Sequence, residues 1–204
     1  MKTPARRTLT ERRFEELRLS VAMAARDLFV LDGGTAPTVD SICARAGISQ
    51  RTFYRHFAVK EDVVVPLFER AAELITEALE NAPEDGDVVT VLARVFSWDV
   101  FEDARPGEPW RRFLTVITES SEYRLRWHAI DEPLTGPVAD FLRRRGLLDG
   151  GPFESTLQAG LVLQATRLAY QHCIRTDGSS DLDKLLERSL TIVVSSWSQD
   201  DQAR

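Results

Sequence analysis

Two cysteines, Cys43 and Cys173, are all that 204 residues contain. That is too few for a disulfide framework and points to a reducing compartment, the cytoplasm. Each sits among apolar or helix-forming neighbours and is expected to be a small core residue. Long apolar runs are missing as well. Those present, such as Ile192–Val194, fall far short of the roughly 20 residues that span a bilayer. No apolar stretch follows the basic N-terminal residues, so no secretory leader and no membrane association are expected. A glycine-rich phosphate loop is lacking, because Gly33-Gly34 and Gly150-Gly151 are isolated turn pairs. Histidine is scarce at three residues. His128, Asp131 and Glu132 lie close in sequence, but no second His or Cys stands at ligand spacing, and Pro133 favours a helix end there. Ser120 and Ser121 have no nucleophile-elbow context. No catalytic residue, metal or cofactor is therefore expected, and the chain is read as non-enzymatic.

What is present is charge of both signs, unevenly placed. The formal net charge is −6, with 26 Lys+Arg against 32 Asp+Glu. A net acidic chain argues against affinity for phosphate backbones, which needs clustered positive charge. The argument fails when the chain is divided. Residues 1–60 hold 11 Lys+Arg and 6 Asp+Glu, and the remainder hold 15 and 26, giving +5 and −11. A basic head precedes an acidic body.

Helical periodicity dominates both parts. Phe14, Leu17, Val21, Ala25, Leu28 and Phe29 mark one face of a first helix, which is expected to end at Asp32-Gly33-Gly34. Thr38 is the expected N-cap of a second helix, with Val39, Ile42, Cys43 and Ala46 inward and Gly47 as the break. Ser49 is the expected N-cap of a third, which carries Phe53 and Phe57. A longer helix is expected from Lys60 through Leu79, with acids in its first turn. Five more follow: Val88 to Phe101, Trp110 to Glu119, Tyr123–Arg145, Phe153–Arg175 and Leu182–Trp197. Pro133 and Pro137 are expected to kink or divide the third of these. No strand, repeat or low-complexity segment is found. The fold class is all-α, with about nine helices.

Thr38–Phe57 reads as two short helices joined by Ala46-Gly47-Ile48-Ser49, the sequence form of a helix-turn-helix whose second helix enters the major groove. The outer face of that helix carries Gln50, Arg51, Thr52, Tyr54, Arg55 and His56, with no acid among them. A merely solvated face would mix in Glu or Asp. Phe14–Phe29, Thr38-Val39-Asp40-Ser41-Ile42-Cys43-Ala44-Arg45-Ala46-Gly47-Ile48-Ser49, Thr52-Phe53-Tyr54-Arg55-His56-Phe57 and Lys60-Glu61-Asp62 together resemble the DNA-binding head of the TetR (tetracycline-repressor) family. The resemblance covers about residues 11–65. Gln50-Arg51-Thr52-Phe53 is similar to actinobacterial-style members. Arg51 stands where many members carry a small residue, often glycine, so no operator sequence is carried over.

Chemistry and resemblance together imply roles. Gln50, Arg51 and Thr52 are placed for base edges: Arg for guanine, Gln for adenine, and Thr for a hydrogen bond or a thymine methyl. Arg55 lies on the same face as Arg51. Tyr54 and His56 resemble the family's backbone contacts. Thr38 and Ser49 sit at helix N-termini, and Thr38 is expected to face a phosphate. Lys60 would supply a point charge at the next helix start. Arg6, Arg7, Arg12 and Arg13 make a basic arm.

The expected organisation is a flexible arm at 1–10, a three-helix DNA-binding domain at 11–59, and a ligand-binding and dimerisation body at 60–204. The resemblance implies a homodimer through the last two helices, where Leu157, Leu161, Ala165 and Leu168 form one stripe and Leu182, Leu185, Leu186, Leu190, Val193, Val194 and Trp197 another. It also implies a pocket in the body for a small hydrophobic or aromatic effector, with Trp98, Phe101, Phe113, Ile117, Trp127, His128 and Tyr170 as candidate lining. The implied function is a ligand-responsive transcriptional regulator, a repressor, on a palindromic double-stranded DNA operator. An all-helical protein-interaction adaptor of the same fold is the alternative. An uncharged or acidic recognition face would support it, and this face is basic.

Overall fold

Thr8 opens the first helix by a local trade: its hydroxyl accepts from the Glu11 amide at 3.2 Å while the Glu11 carboxylate accepts from the Thr8 amide at 2.7 Å. This capping box satisfies donors that no helical carbonyl reaches. Helix α1 then runs Leu9–Asp32 and stops at Gly33, whose φ of 70° is left-handed. The computed structural model describes residues 8–101, 108–148, 150–176 and 181–197. Arg6 and Arg7 of the expected arm lie outside them, and Arg12 and Arg13 stand exposed on α1.

The described residues form α2 (Val39–Ala46), α3 (Gln50–His56), α4 (Val65–Glu80), α5 (Val88–Val95), α6 (Glu108–Thr118), α7 (Ser121–His128), α8 (Asp131–Arg144), α9 (Pro152–Arg175) and α10 (Leu182–Ser195) after α1. Two 3-10 turns, Lys60–Val64 and Trp98–Phe101, interrupt the series. The described part is all helical, and among its residues no strand occurs and no helix is long and apolar enough to cross a membrane.

Two elements differ from expectation, each for a local reason, and a third divides as expected. The helix expected from Lys60 begins as a 3-10 turn and becomes α-helical only at Val65. Pro66 has no N–H to give the Asp62 carbonyl four residues back, and its ring crowds that carbonyl. The helix expected through Phe101 ends at Val95. Both the hydroxyl and the amide of Ser97 turn onto the Arg94 carbonyl, at 2.9 and 3.2 Å, tightening the chain out of the α ladder. The Tyr123–Arg145 segment is divided into α7 and α8, making ten α-helices among the described residues. Pro133 falls in the first turn of α8, where its missing donor costs nothing. Pro137 stays inside that helix.

Two compact units are formed. The first comprises residues 1–70 and 116–127, and the second residues 71–115 and 128–204. The expected break at 59–60 falls inside the first unit. Its core holds Val21, Ala25, Phe29, Ile42, Phe53, Phe57, Val63, Ile117 and Tyr123, with Cys43 also buried as a free thiol. Each fully buried Val, Ile or Phe among these stabilises by about 1.5–3 kcal/mol. Within the same unit the Arg126 guanidinium joins Asp62 through two nitrogens, at 2.8 and 3.2 Å, tying α7 to the 3-10 turn.

The second unit packs α9 against α8 and α10, and α10 against α5. Cys173 lies buried there, again a small core residue. Tyr170 on α9 donates its hydroxyl to the Phe96 carbonyl at 2.5 Å, satisfying the end of α5. Arg167, buried on α9, pairs with Asp131 and donates to the His128 carbonyl at 3.2 Å. Arg144 donates to the Leu79 carbonyl at 2.8 Å, closing the C-terminus of α4.

Candidate nucleic-acid interface

Two threonine- and serine-type caps and one glycine set the geometry of the site. Thr38 Oγ1 accepts from the Ser41 amide at 3.2 Å, and Ser49 Oγ from the Thr52 amide at 3.2 Å. Gly47 between them has φ 68°, a left-handed value open to glycine at little cost. Its amide and that of Ile48 both bond the Cys43 carbonyl, the latter at 3.0 Å, which ends α2 and turns the chain into α3. Phe53 and Phe57, rings 4.9 Å apart, anchor α3 inward. With those two positions fixed, helical geometry sends Gln50, Arg51, Tyr54 and Arg55 outward, and all four are exposed.

The outward side chains are in different states. Arg51 has no ion pair among the described residues. Tyr54 leans edge-on against Phe53, ring centres 5.4 Å apart, and keeps more than half its surface exposed. Gln50 donates its side-chain amide to Asp40 Oδ1 of α2. Thr52 is half-buried, its hydroxyl 3.0 Å from that of Ser49.

His56 and Lys60 are drawn inward. The His56 ring packs on Phe14 with centres 4.3 Å apart, its Nδ1 enclosed and without a hydrogen-bond partner. Burial lowers its pKa, and the Arg55 and Arg18 charges lower it further. The ring is held neutral, so it offers a polar edge rather than a cation. Lys60 donates to the Thr35 carbonyl at 2.7 Å and the Pro37 carbonyl at 3.3 Å. It thereby fixes the loop that delivers Thr38 to the start of α2. Two further contacts escaped the sequence reading. Arg18 lies over the Phe57 ring at 5.7 Å and pairs with Glu69 at 3.2 Å. The second is Asp40 with Gln50, whose separation of ten residues belongs to no helical spacing rule.

Residues 23–66 match the sequence pattern described as bacterial regulatory proteins, tetR family. That similarity covers the helix-turn-helix and the turn that follows it, about a fifth of the chain. The chain is 26% identical over 148 residues to the HTH-type transcriptional regulator TcmR of Streptomyces glaucescens, covering 72% of this chain and 62% of that protein. The match thus spans less than two thirds of that relative's length. The fold is shared with SmeT, the repressor of the Stenotrophomonas maltophilia multidrug efflux pump SmeDEF, at a TM-score of 0.61 and 21% identity, covering 88% of this chain and 89% of SmeT. It is shared also with NalD, the secondary repressor of the MexAB-OprM multidrug efflux pump in Pseudomonas aeruginosa, at 0.56 and 20%, covering 88% and 96%.

The expected effector residues are brought together only in part. Trp98 stands edge-on to Tyr170 with ring centres 4.9 Å apart, and the Tyr170 hydroxyl is already given to Phe96. Phe113 is fully buried beside Trp110, and His128 is half-buried, both in the second unit. Ile117 and Trp127 are buried in the first unit. Phe101 ends a 3-10 turn, and its side chain lies outside the described residues. A cavity of about 420 Å³ in the second unit is lined by Asp87, Val89, Thr90, Glu187, Thr191, Val194 and Ser195, none of them in the expected set.

Proposed function

We propose that this chain is a ligand-responsive repressor that binds a palindromic operator as a homodimer and leaves it when a small hydrophobic or aromatic effector is bound. The observation that carries the DNA reading is the outer face of α3. Gln50, Arg51, Tyr54 and Arg55 stand exposed and without an acid on a helix whose inward side is anchored by Phe53 and Phe57. In this reading Arg51 and Gln50 meet base edges, and Arg55 and Tyr54 meet a base or the backbone. The caps Thr38 and Ser49 present helix N-termini to phosphates. Lys60 holds the loop before Thr38, and its ammonium has a third N–H to offer.

A single short recognition helix reads few base pairs, and two-fold dimers on half-sites supply the missing specificity. The face of α9 supports this. Phe153, Leu157, Leu161 and Leu168 are 72, 50, 41 and 50% exposed, an apolar stripe at helical spacing, with Ile192 of α10 exposed at 66%. A soluble chain rarely leaves such a row uncovered. The efflux-pump repression named for SmeT and NalD supports the repressor reading. An effector acts only through its differential affinity for two states, typically about 1–3 kcal/mol of coupling. Helix α4, continuous from the first unit into the second, is the proposed lever.

Gel-shift titration tests the DNA reading. The protein is expected to prefer duplex from its own upstream region over random duplex, with affinity falling steeply as salt rises. Equal affinity for both duplexes refutes it.

A further inference from the structure

Gln50 opens the recognition helix, yet its side chain is not idle. Its amide nitrogen donates to Asp40 Oδ1, across the turn from one helix of the motif to the other. A carboxylate has no proton to give, so only the NH2 end of the amide can face it. This settles which way the amide is turned, a choice that geometry alone leaves open for an exposed glutamine. One N–H is occupied by Asp40, and one N–H and the carbonyl oxygen remain. Those two are what adenine requires, because its N7 accepts and its N6 donates in the major groove. An untethered glutamine would sample both amide orientations and several rotamers, and would lose that entropy on binding.

We propose that Asp40 is a specificity-determining positioning residue. It holds the Gln50 amide in the orientation that reads adenine, so one base of the half-site is selected by a residue on the preceding helix. Asp40 touches the reading residue, not the base. Its negative charge also opposes phosphate at every sequence alike, which lowers non-specific affinity without altering preference. The inference rests on the DNA-reading role of α3.

Site selection from a pool of duplexes with a randomised core, using the full chain and its variants, separates the possibilities. The wild type is expected to select a consensus, and Gln50→Ala to lose about five- to hundredfold of base preference at one position. Asp40→Ala is expected to lose about two- to tenfold at that same position and none elsewhere. It should add nothing in the Gln50→Ala background. Asp40→Asn, whose NH2 can equally face the Gln50 oxygen and so no longer fixes the amide, is expected to lose part of the preference at that position while binding all duplexes more tightly. A merely structural loss in α2 would weaken every position together. Unaltered preference in Asp40→Ala, or a change at other positions, overturns this inference alone. Failure of the wild type to select any sequence overturns the DNA reading and this inference with it.

Discussion

The two compact units expose opposite kinds of side chain. On α3 the first unit presents Gln50, Arg51, Tyr54 and Arg55, whereas on α9 the second presents Phe153, Leu157, Leu161 and Leu168. Both helices bury one face in the ordinary way, through Phe53 on α3 and through Ala159, Val162 and Tyr170 on α9. The remaining face differs, and with it the partner it suits. Exposed donors match a hydrated polyanion, whose binding is salt-dependent. Exposed leucines match another protein surface, where burial of apolar area is the driving force. The division of charge in the sequence, +5 for residues 1–60 against −11 for the remainder, puts the basic excess on the segment that carries α3.

The comparison breaks most sharply if either face is destroyed alone. Leu157→Asp combined with Leu161→Asp places four charges in a two-fold interface. It is expected to weaken dimerisation by at least about 4 kcal/mol, roughly a thousandfold in Kd. Sedimentation should give a monomer whose first unit still binds random duplex with salt-dependent affinity. A dimer of unaltered Kd removes α9 from the interface. Phe53→Ala attacks the other unit by emptying the space under α3, at about 3–5 kcal/mol. Operator binding should disappear while the dimer mass persists. Loss of both together would mean that the units do not fold separately.

A third pair of variants sharpens the roles within the first unit. Arg51→Ala should relax preference at one base position by about 1–3 kcal/mol. Lys60→Ala removes a charged donor from the Thr35 and Pro37 carbonyls. It should lower thermal stability by about 1.5–3 kcal/mol and weaken all duplexes alike. If Lys60→Ala altered base preference, or Arg51→Ala weakened every sequence equally, the division between reading and positioning would be wrong.

The same boundary divides what the sequence discloses. The turns of the helix-turn-helix are legible because their partners are local: Thr38 with Ser41, Ser49 with Thr52, and Gly47 with the Cys43 carbonyl. Contacts that close over longer stretches leave no periodic mark. Lys60 with Thr35, Asp40 with Gln50, Arg167 with Asp131 and Tyr170 with Phe96 are of this kind. Periodicity also cannot say which of two apolar faces is covered. The stripe through Leu157, Leu161, Ala165 and Leu168 is legible, but that Ala165 lies buried while the leucines and Phe153 stay exposed is not. Pro66 was readable and decisive, since its missing donor explains the late start of α4.

Two smaller effects test how tightly the first unit is built. Tyr123 is buried edge-on against Phe29, ring centres 5.5 Å apart, and its hydroxyl has no hydrogen-bond partner among the described residues. Burial and the nearby Glu61 charge both raise its pKa. An unsatisfied buried hydroxyl is a cost, so Tyr123→Phe should stabilise by about 1 kcal/mol, seen as a raised Tm. A lowered Tm would show that the hydroxyl has a partner in solution.

His56 gives the smallest effect, and its sign is fixed. Its folded pKa lies below the ordinary histidine value, so the folded chain binds fewer protons there than the unfolded chain. Stability from this residue is complete above the unfolded pKa, near 6.5, and declines as pH falls through the depressed folded value. Burial and the Arg55 and Arg18 charges all oppose a second proton. Urea titrations at pH 7.5 and 5.5 should therefore show the first unit weakened on acidification, and His56→Gln should reduce that difference. A His56→Gln variant with undiminished pH dependence would assign the acid sensitivity to other groups and leave His56 a packing residue only.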